Sequence, residues 1–461
     1  MDIFFGGEFT IAFGAGVWAL VLAGFIVMQR GRVSLGAGLM LGYFLNLAVI
    51  HLPGALLYLN PDYQFYDRNW ILVGFEQSTW GIVAFGIGAL GTQFLIRNSR
   101  RFAAVSFAEV NAAPLFNPWL YRFYVLLGLV SYFVISPLAE EVPTLSAVVS
   151  VLNQLLLLGI CLAMWHAWRR QHWLSLALWI VALGLLPILT IVFQGFIGSG
   201  VTVLVVGLSF LASFFRPRWI VLIAGVVFVF VGLSSFVTYF RDRTEIREIV
   251  WGGEAIEERI ARVVKTFSEM EWFNPNERRH ANYLDERLNQ NWLVGAAVER
   301  IAEGKNDLKY GETLTDAIIG LVPRAIWSEK PVRAGSGSLV TDATGIQFAK
   351  GTSVGVGQVL EFYINFGTLS VIVGMGLWGV ALTLLDALAA RMLQRGYLRA
   401  FTATYLVALG LINPGGSLVE VFATSAAALL AALAVNDFLV PFFVGVFEEP
   451  DAPQMFATKD A

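Results

Sequence analysis

The chain has 461 residues, 57% of them hydrophobic and 14% charged, with mean hydropathy +0.67 and a formal net charge of −3. A water-soluble globule of this length could not keep so much apolar surface out of water, so that class is excluded. The small net charge says little about partners, because the charges are sorted between loops; no nucleic-acid partner is expected.

Apolar runs of about twenty residues, the length that crosses roughly 30 Å of hydrocarbon, recur along the chain. The predicted class is an all-α polytopic membrane protein. Eleven spans are expected near 9–28, 35–57, 71–96, 119–137, 144–166, 174–196, 199–215, 219–240, 362–388, 399–413 and 417–436. The first run lacks the basic flank of a cleavable signal peptide. The apolar stretch 437–447 is too short for a clear twelfth span. This divides the chain into an N-terminal bundle of about eight spans (1–240), an extracytoplasmic loop (241–361), C-terminal spans (362–447) and a cytoplasmic tail (448–461).

Alternate short connections carry Arg30 and Arg32, then Arg97, Arg100, Arg101 and Arg122, then Arg169 and Arg170, Arg216 and Arg218, and Arg391, Arg395 and Arg399. The intervening loops hold Arg68 beside Asp62, Asp67, Glu140 and Glu141. Cytoplasmic loops carry the excess of Lys and Arg. The expected topology therefore has the N-terminus outside, the C-terminus inside and the long loop outside. Cys161 is the single cysteine and lies within a span, so no intrachain disulfide forms. There is no P-loop, no zinc-type Cys/His spacing and no HExxH, and neither a cofactor nor a metal is expected.

Residues 241–350 hold sixteen Lys and Arg and eighteen Asp and Glu, about half of all charge in the chain. The run 254–272 places Ile256, Ile260, Val264, Phe267 and Met270 along one helical face, suited to the bilayer surface or to capping the bundle. A second helix is expected over about 283–303 and a third over 311–322, ending at Pro323. After it, Arg324, Lys330 and Arg333 are fixed by Pro323 and Pro331 and followed by small residues that let backbone amides approach a ligand. Cations beside exposed amides suit a phosphate group; ion pairs with Glu329 and Asp342 suit them as well. Toward the same side of the spans lie His51, Glu76, Gln194, Glu361 and Glu420. Carboxylates at membrane depth point to function, and interhelical hydrogen bonding accounts for His51 and Gln194 equally well.

The stretches "GETLTDAIIGLVPRAIWSEKP" (311–331) and "GVGQVLEFYINFG" (355–367), with the single large outer loop between late spans, resemble the oligosaccharide repeat-unit polymerases, the O-antigen polymerase (Wzy-like) family. An arginine followed eleven positions later by a glycine recurs in some members; Arg324 with Gly335 and Arg241 with Gly252 show it here. The resemblance covers the C-terminal half, whereas the first eight spans match only as hydropathy. It implies a GT-C-like bundle in the bacterial cytoplasmic membrane. The implied activity is a lipid-diphosphate-dependent glycosyltransferase that joins undecaprenyl-diphosphate-linked repeat units into O-antigen or exopolysaccharide. A chain-length regulator and a flippase are implied partners. On this reading Arg324 and Lys330 grip the donor diphosphate, with Arg333 and Arg279 as further contacts. Glu361 is the first candidate for the base and His280 the second; His280 also reads as an ordinary solvent-exposed histidine. Trp327, Tyr363, Asn365 and Glu76 are expected at the substrate cavity, Trp327 either stacking on a sugar or packing the turn. An O-antigen ligase would use the same cations with another acceptor. A flippase or exporter would show related halves and mid-membrane charge, and a scaffold of an envelope complex would use the turn for docking.

Overall fold

The structure, a computed structural model, describes residues 7–28, 36–99, 116–136, 143–215, 218–322, 327, 329–330, 336–348 and 354–444. Every regular element among them is helical. In chain order these are α1 (Gly7–Met28), α2 (Leu39–Leu57), α3 (Arg68–Asn98), α4 (Trp119–Val130), α5 (Pro143–Arg169), α6 (Trp173–Gly184), α7 (Leu186–Gln194), α8 (Gly198–Phe214) and α9 (Arg218–Trp251). Then come α10 (Ile256–Ser268), α11 (Arg278–Arg287), α12 (Asn291–Ala302), α13 (Glu312–Gly320), α14 (Ser336–Thr344) and α15 (Gln358–Phe366). The chain closes with α16 (Thr368–Arg395), α17 (Leu398–Leu411), α18 (Leu418–Ala434) and the short α19 (Val440–Phe443).

Among the described residues, eight helical stretches are long and apolar enough to cross a membrane, and three shorter apolar ones fall at the other expected spans, 119–135, 198–214 and 398–411. The architecture is that of a helical polytopic membrane protein. Four boundaries differ from the sequence expectation. The run 174–196 breaks at Leu185, just ahead of Pro187, into α6 and α7. The span expected to end at 240 continues to Trp251, so α9 crosses the expected domain boundary and carries Arg241, Arg243 and Arg247 on a rigid helix. The span expected from 362 starts at Thr368, because Gly367, with φ of 69°, separates it from α15. Residues 435–443 continue α18 through a π-turn into α19 and form no separate span.

The bundle core is the crossing of α3 with α16, flanked by α1, α12 and α17. A Cβ on Gly379 would stand 2.3 Å from the carbonyl oxygen of Phe85, so the two backbones approach as only small residues allow. At the end away from the 241–348 subdomain, Asp386 of α16 accepts the amides of Ala37 (2.7 Å) and Leu39 (2.8 Å), satisfying orphan donors at the start of α2.

The subdomain is stitched onto the bundle rather than hung from it. Pro53 interrupts the α2 ladder. The amide of Gly54 turns outward to the carbonyl of Leu288 (3.2 Å), and the carbonyl of Ile50 receives the amide of Gln290 (2.8 Å). His51 Nδ1 pairs with Asn291 Oδ1 at 2.8 Å, and Asn291 Nδ2 donates to the His51 carbonyl at 2.8 Å. The inserted segment 288–290 splits the single helix expected over 283–303 into α11 and α12. On α10 the buried positions are Val263 and Thr266, while Ile260 and Val264 of the expected apolar stripe are exposed. Those two face away from the protein, as a helix at a bilayer surface would present them, whereas Phe267 of the same stripe packs on the core.

Candidate functional site

Between α2, α5, α7, α8 and α9 lies a cavity of about 1270 Å³, closed at the subdomain end by the start of α18 and by Arg287 of α11. Its lining on α9 runs from Phe228 to Arg247, about 28 Å at 1.5 Å per residue. Most of the wall is aliphatic and aromatic, and the charged lining residues are Arg243, Arg247, Arg287 and Glu420.

The three arginines gather for local reasons. Arg243 and Arg247, four apart on α9, share one helical face. Arg287 reaches the same place because segment 288–290 is sewn into α2. Arg243 Nη1 and Arg287 Nε both lie 3.4 Å from Glu286 Oε1, so one carboxylate serves two guanidinium groups. Arg247 makes no ion pair among the described residues: its Nε donates to the Gly195 carbonyl (3.3 Å), and its guanidinium lies 4.3 Å from the Phe196 ring centroid and 5.1 Å from that of Trp251. Burial, together with the neighbouring Arg243, holds Arg287 below the usual guanidinium range. The cluster carries positive charge that the carboxylates among the described residues do not fully compensate, which is the setting for an anion.

Glu420 is the one carboxylate among the lining residues. It belongs to the capping box of α18: Ser417 N–H donates to its Oε2 (3.0 Å) and its own N–H donates to Ser417 Oγ (3.2 Å). Its Oε1 accepts from Ser336 Oγ at 2.9 Å. The carboxylate is thereby aimed and held at the cavity wall.

The side chains expected at the site fall elsewhere. Arg324 and Arg333 lie outside the described residues. Lys330 turns back on the preceding helix, its Nζ donating to the carbonyls of Gly320 (3.2 Å) and Val322 (3.0 Å) at the C-terminus of α13. Trp327 is exposed. Glu361 is fully buried; its Oε2 accepts the Leu418 amide at 2.7 Å, and its Oε1 has no hydrogen-bond partner among the described residues. Burial raises its pKa to about 7, against the opposing pull of the Leu418 N–H. Asn365 is buried one helical turn on, its Nδ2 donating to Thr313 Oγ1 and the Glu361 carbonyl, both at 2.7 Å. Tyr363 packs half-buried on the core, and Glu76 accepts from Trp80 Nε1 at 3.4 Å.

His280 and Arg279 meet at Glu271, which sits 3.2 Å from His280 Nε2 and 2.9 Å from Arg279 Nη2. His280 Nδ1 accepts the Asn274 amide at 3.1 Å and the ring is 1% exposed, so it is a partnered core histidine rather than a solvent-exposed one. The structure thus forms two separate groups, one around Glu361 and Asn365 and one around His280 and Arg279. None of these residues lines the cavity.

Sequence reasoning missed Arg243, Arg247 and Arg287. The signal for the first two was the arginine spacing in "RDRTEIREIV" (241–250), read as loop because the span was ended at 240. Arg287 carried no local signal, since its position depends on the contact between α2 and segment 288–290.

Fold and cavity together define a polytopic helical membrane protein with a chamber that carries three arginines toward its subdomain end. Residues 117–411, well over half of the chain, match the family described as "Domain of unknown function (DUF8712)", and the chain belongs to that family. No curated protein and no solved structure matches it.

Proposed function

We propose that the protein transfers glycans carried on a polyprenyl diphosphate, joining repeat units into a polysaccharide at the outer face of the bacterial cytoplasmic membrane. The observation that carries this reading is the cluster of Arg243, Arg247 and Arg287 at one end of a chamber whose remaining walls are largely apolar. A lipid diphosphate has that division of chemistry: two phosphates for the guanidinium groups and a hydrocarbon chain for the wall. The described basic residues Arg97, Arg122, Arg169, Arg391, Arg395 and Arg399 lie at the opposite helix ends, which supports an outward-facing subdomain. The resemblance of 311–331 and 355–367 to the repeat-unit polymerases points the same way.

In the proposed reaction an acceptor hydroxyl attacks the anomeric carbon of the donor. Its proton passes to the Glu420 carboxylate, the carbon–oxygen bond to the diphosphate breaks, and the electron pair leaves on the lipid diphosphate. Preorganised arginines stabilise the charge that builds there. Glu420 takes the role of base in place of Glu361 because it faces the chamber.

Deletion of the gene in its host, with surface and lipid-linked glycans resolved by size, tests the reading. Collapse of the polymer ladder to single repeat units, restored by the parent gene but not by Glu420→Gln, is the expected result. Full-length polymer left on its lipid carrier would make the protein a ligase. Glycan trapped on the cytoplasmic side would make it a transporter.

A further inference from the structure

On the wall opposite α9 the chamber is not uniformly apolar. Asn153 and Gln154 of α5 both line it, beside Tyr132 and Ser136 from the π-turn that ends α4. Oδ1 of Asn153 and Oε1 of Gln154 are buried, and neither has a hydrogen-bond partner among the described residues. Asn153 stands sixteen residues from Arg169 on α5, about 24 Å along the helix. That places the amides within the roughly 30 Å thickness of the bilayer core. An unpaired amide in such a setting forgoes the hydrogen bonds it would make to water, and two adjacent ones need a reason.

Resting on the glycosyl-transfer reading, we infer that Asn153 and Gln154 form a recognition subsite for the hydroxyl groups of the sugar joined to the diphosphate. Chemistry narrows the occupant. A hydrocarbon chain satisfies neither the carbonyl nor the NH2 of an amide. A phosphate is drawn to guanidinium groups rather than to neutral amides whose carbonyls repel it. A sugar hydroxyl both donates and accepts, which is what a carboxamide offers in return. Successive helix residues diverge by about 100°, so the two amides approach a ring from different directions, as recognition of neighbouring hydroxyls requires. Sites built to hydrogen-bond a hydroxyl discriminate steeply against ligands that lack it. The subsite would therefore select which sugar is transferred, while the arginines hold the part common to all donors.

The test uses the full chain in lipid nanodiscs and two probes, farnesyl diphosphate and the same lipid diphosphate bearing one N-acetylglucosamine. The wild type is expected to bind the sugar-bearing probe at least tenfold more tightly than the bare one. In the double variant N153L/Q154L that margin disappears, binding of the bare probe stays within twofold, and the protein melts no lower than wild type. Gln154→Met, close in shape to the parent residue, should lose part of the margin and covers the case in which the double variant misfolds. A margin that survives in both variants, or is missing from the wild type, overturns the subsite and leaves the diphosphate reading standing. A wild type that binds neither probe overturns both.

Discussion

The backbone amide of Gly54 donates to the carbonyl of Leu288 over 3.2 Å, so a bond that would close a turn of a membrane helix instead holds the strand of chain next to Arg287. A Cβ on Gly54 would lie 2.1 Å from that of Asn289. Gly54→Ala is therefore expected to lower stability by about 1–3 kcal/mol, as overpacking of a tight site does. It should also weaken binding of farnesyl diphosphate, because Arg287 shifts with segment 288–290. A thermal melt and a binding isotherm on the same preparation check both; normal affinity at reduced stability would uncouple Arg287 from the stitch.

Glu361 is predicted to impose a pH dependence on stability. Burial lifts its pKa from the usual 4.5 to about 7. Between those values the folded chain keeps a proton that the unfolded chain has released, so stability falls as pH rises through that window. At its upper end the loss approaches 3 kcal/mol, from about 1.4 kcal/mol per pKa unit. Glu361→Gln should melt with the parent near pH 4.5 and above it at pH 8. Parallel melting curves across that range would remove the assignment.

Arg247→Gln keeps much of the packing and deletes the charge. A charge-assisted hydrogen bond contributes about 1.5–3 kcal/mol, so farnesyl diphosphate should bind roughly ten- to a hundredfold more weakly. Arg247→Lys should recover only part of this, since an ammonium lacks the planar fork. Unchanged affinity in the glutamine variant would take Arg247 out of the site.

Lys330→Met separates two roles for one cation. With its Nζ on the carbonyls of Gly320 and Val322, Lys330 closes the end of α13. Its loss should cost about 0.3–1 kcal/mol locally and speed amide exchange across 312–322. Binding of farnesyl diphosphate should stay as in the parent; a large drop would return Lys330 to the phosphate.

The helical membrane class was legible because hydrophobic length is a local property, and eight of the apolar runs form helices long enough to cross a membrane. The amphipathic run 254–272 and the helix ending near Val322 were legible on the same ground. Much of the site was not. Glu361 and Asn365 stood out by sitting where a polar loop meets a span, yet their side chains turn inward, Glu361 to the Leu418 amide and Asn365 to Thr313. His280 stood out as the one histidine of the loop, yet Glu271 and Asn274 enclose it. Sequence shows which groups are unusual for their surroundings. It does not show which way they face, since that depends on contacts as distant as Gly54 with Leu288.

The membrane half of α9 stands apart from the bundle: Ile223, Val226, Val227 and Val229 are more than half exposed, and the helix is held by α7, α10 and α11 toward its other end. Val229 and Val231 are both exposed and part of the lining, so the proposed lipid substrate would reach the chamber from the side. For an amphiphile confined to one leaflet the search is two-dimensional, and occupancy follows its mole fraction among the lipids rather than its concentration in water. Supply to the arginines is then metered by the composition of the membrane, and competition comes from every other anionic lipid sharing that leaflet.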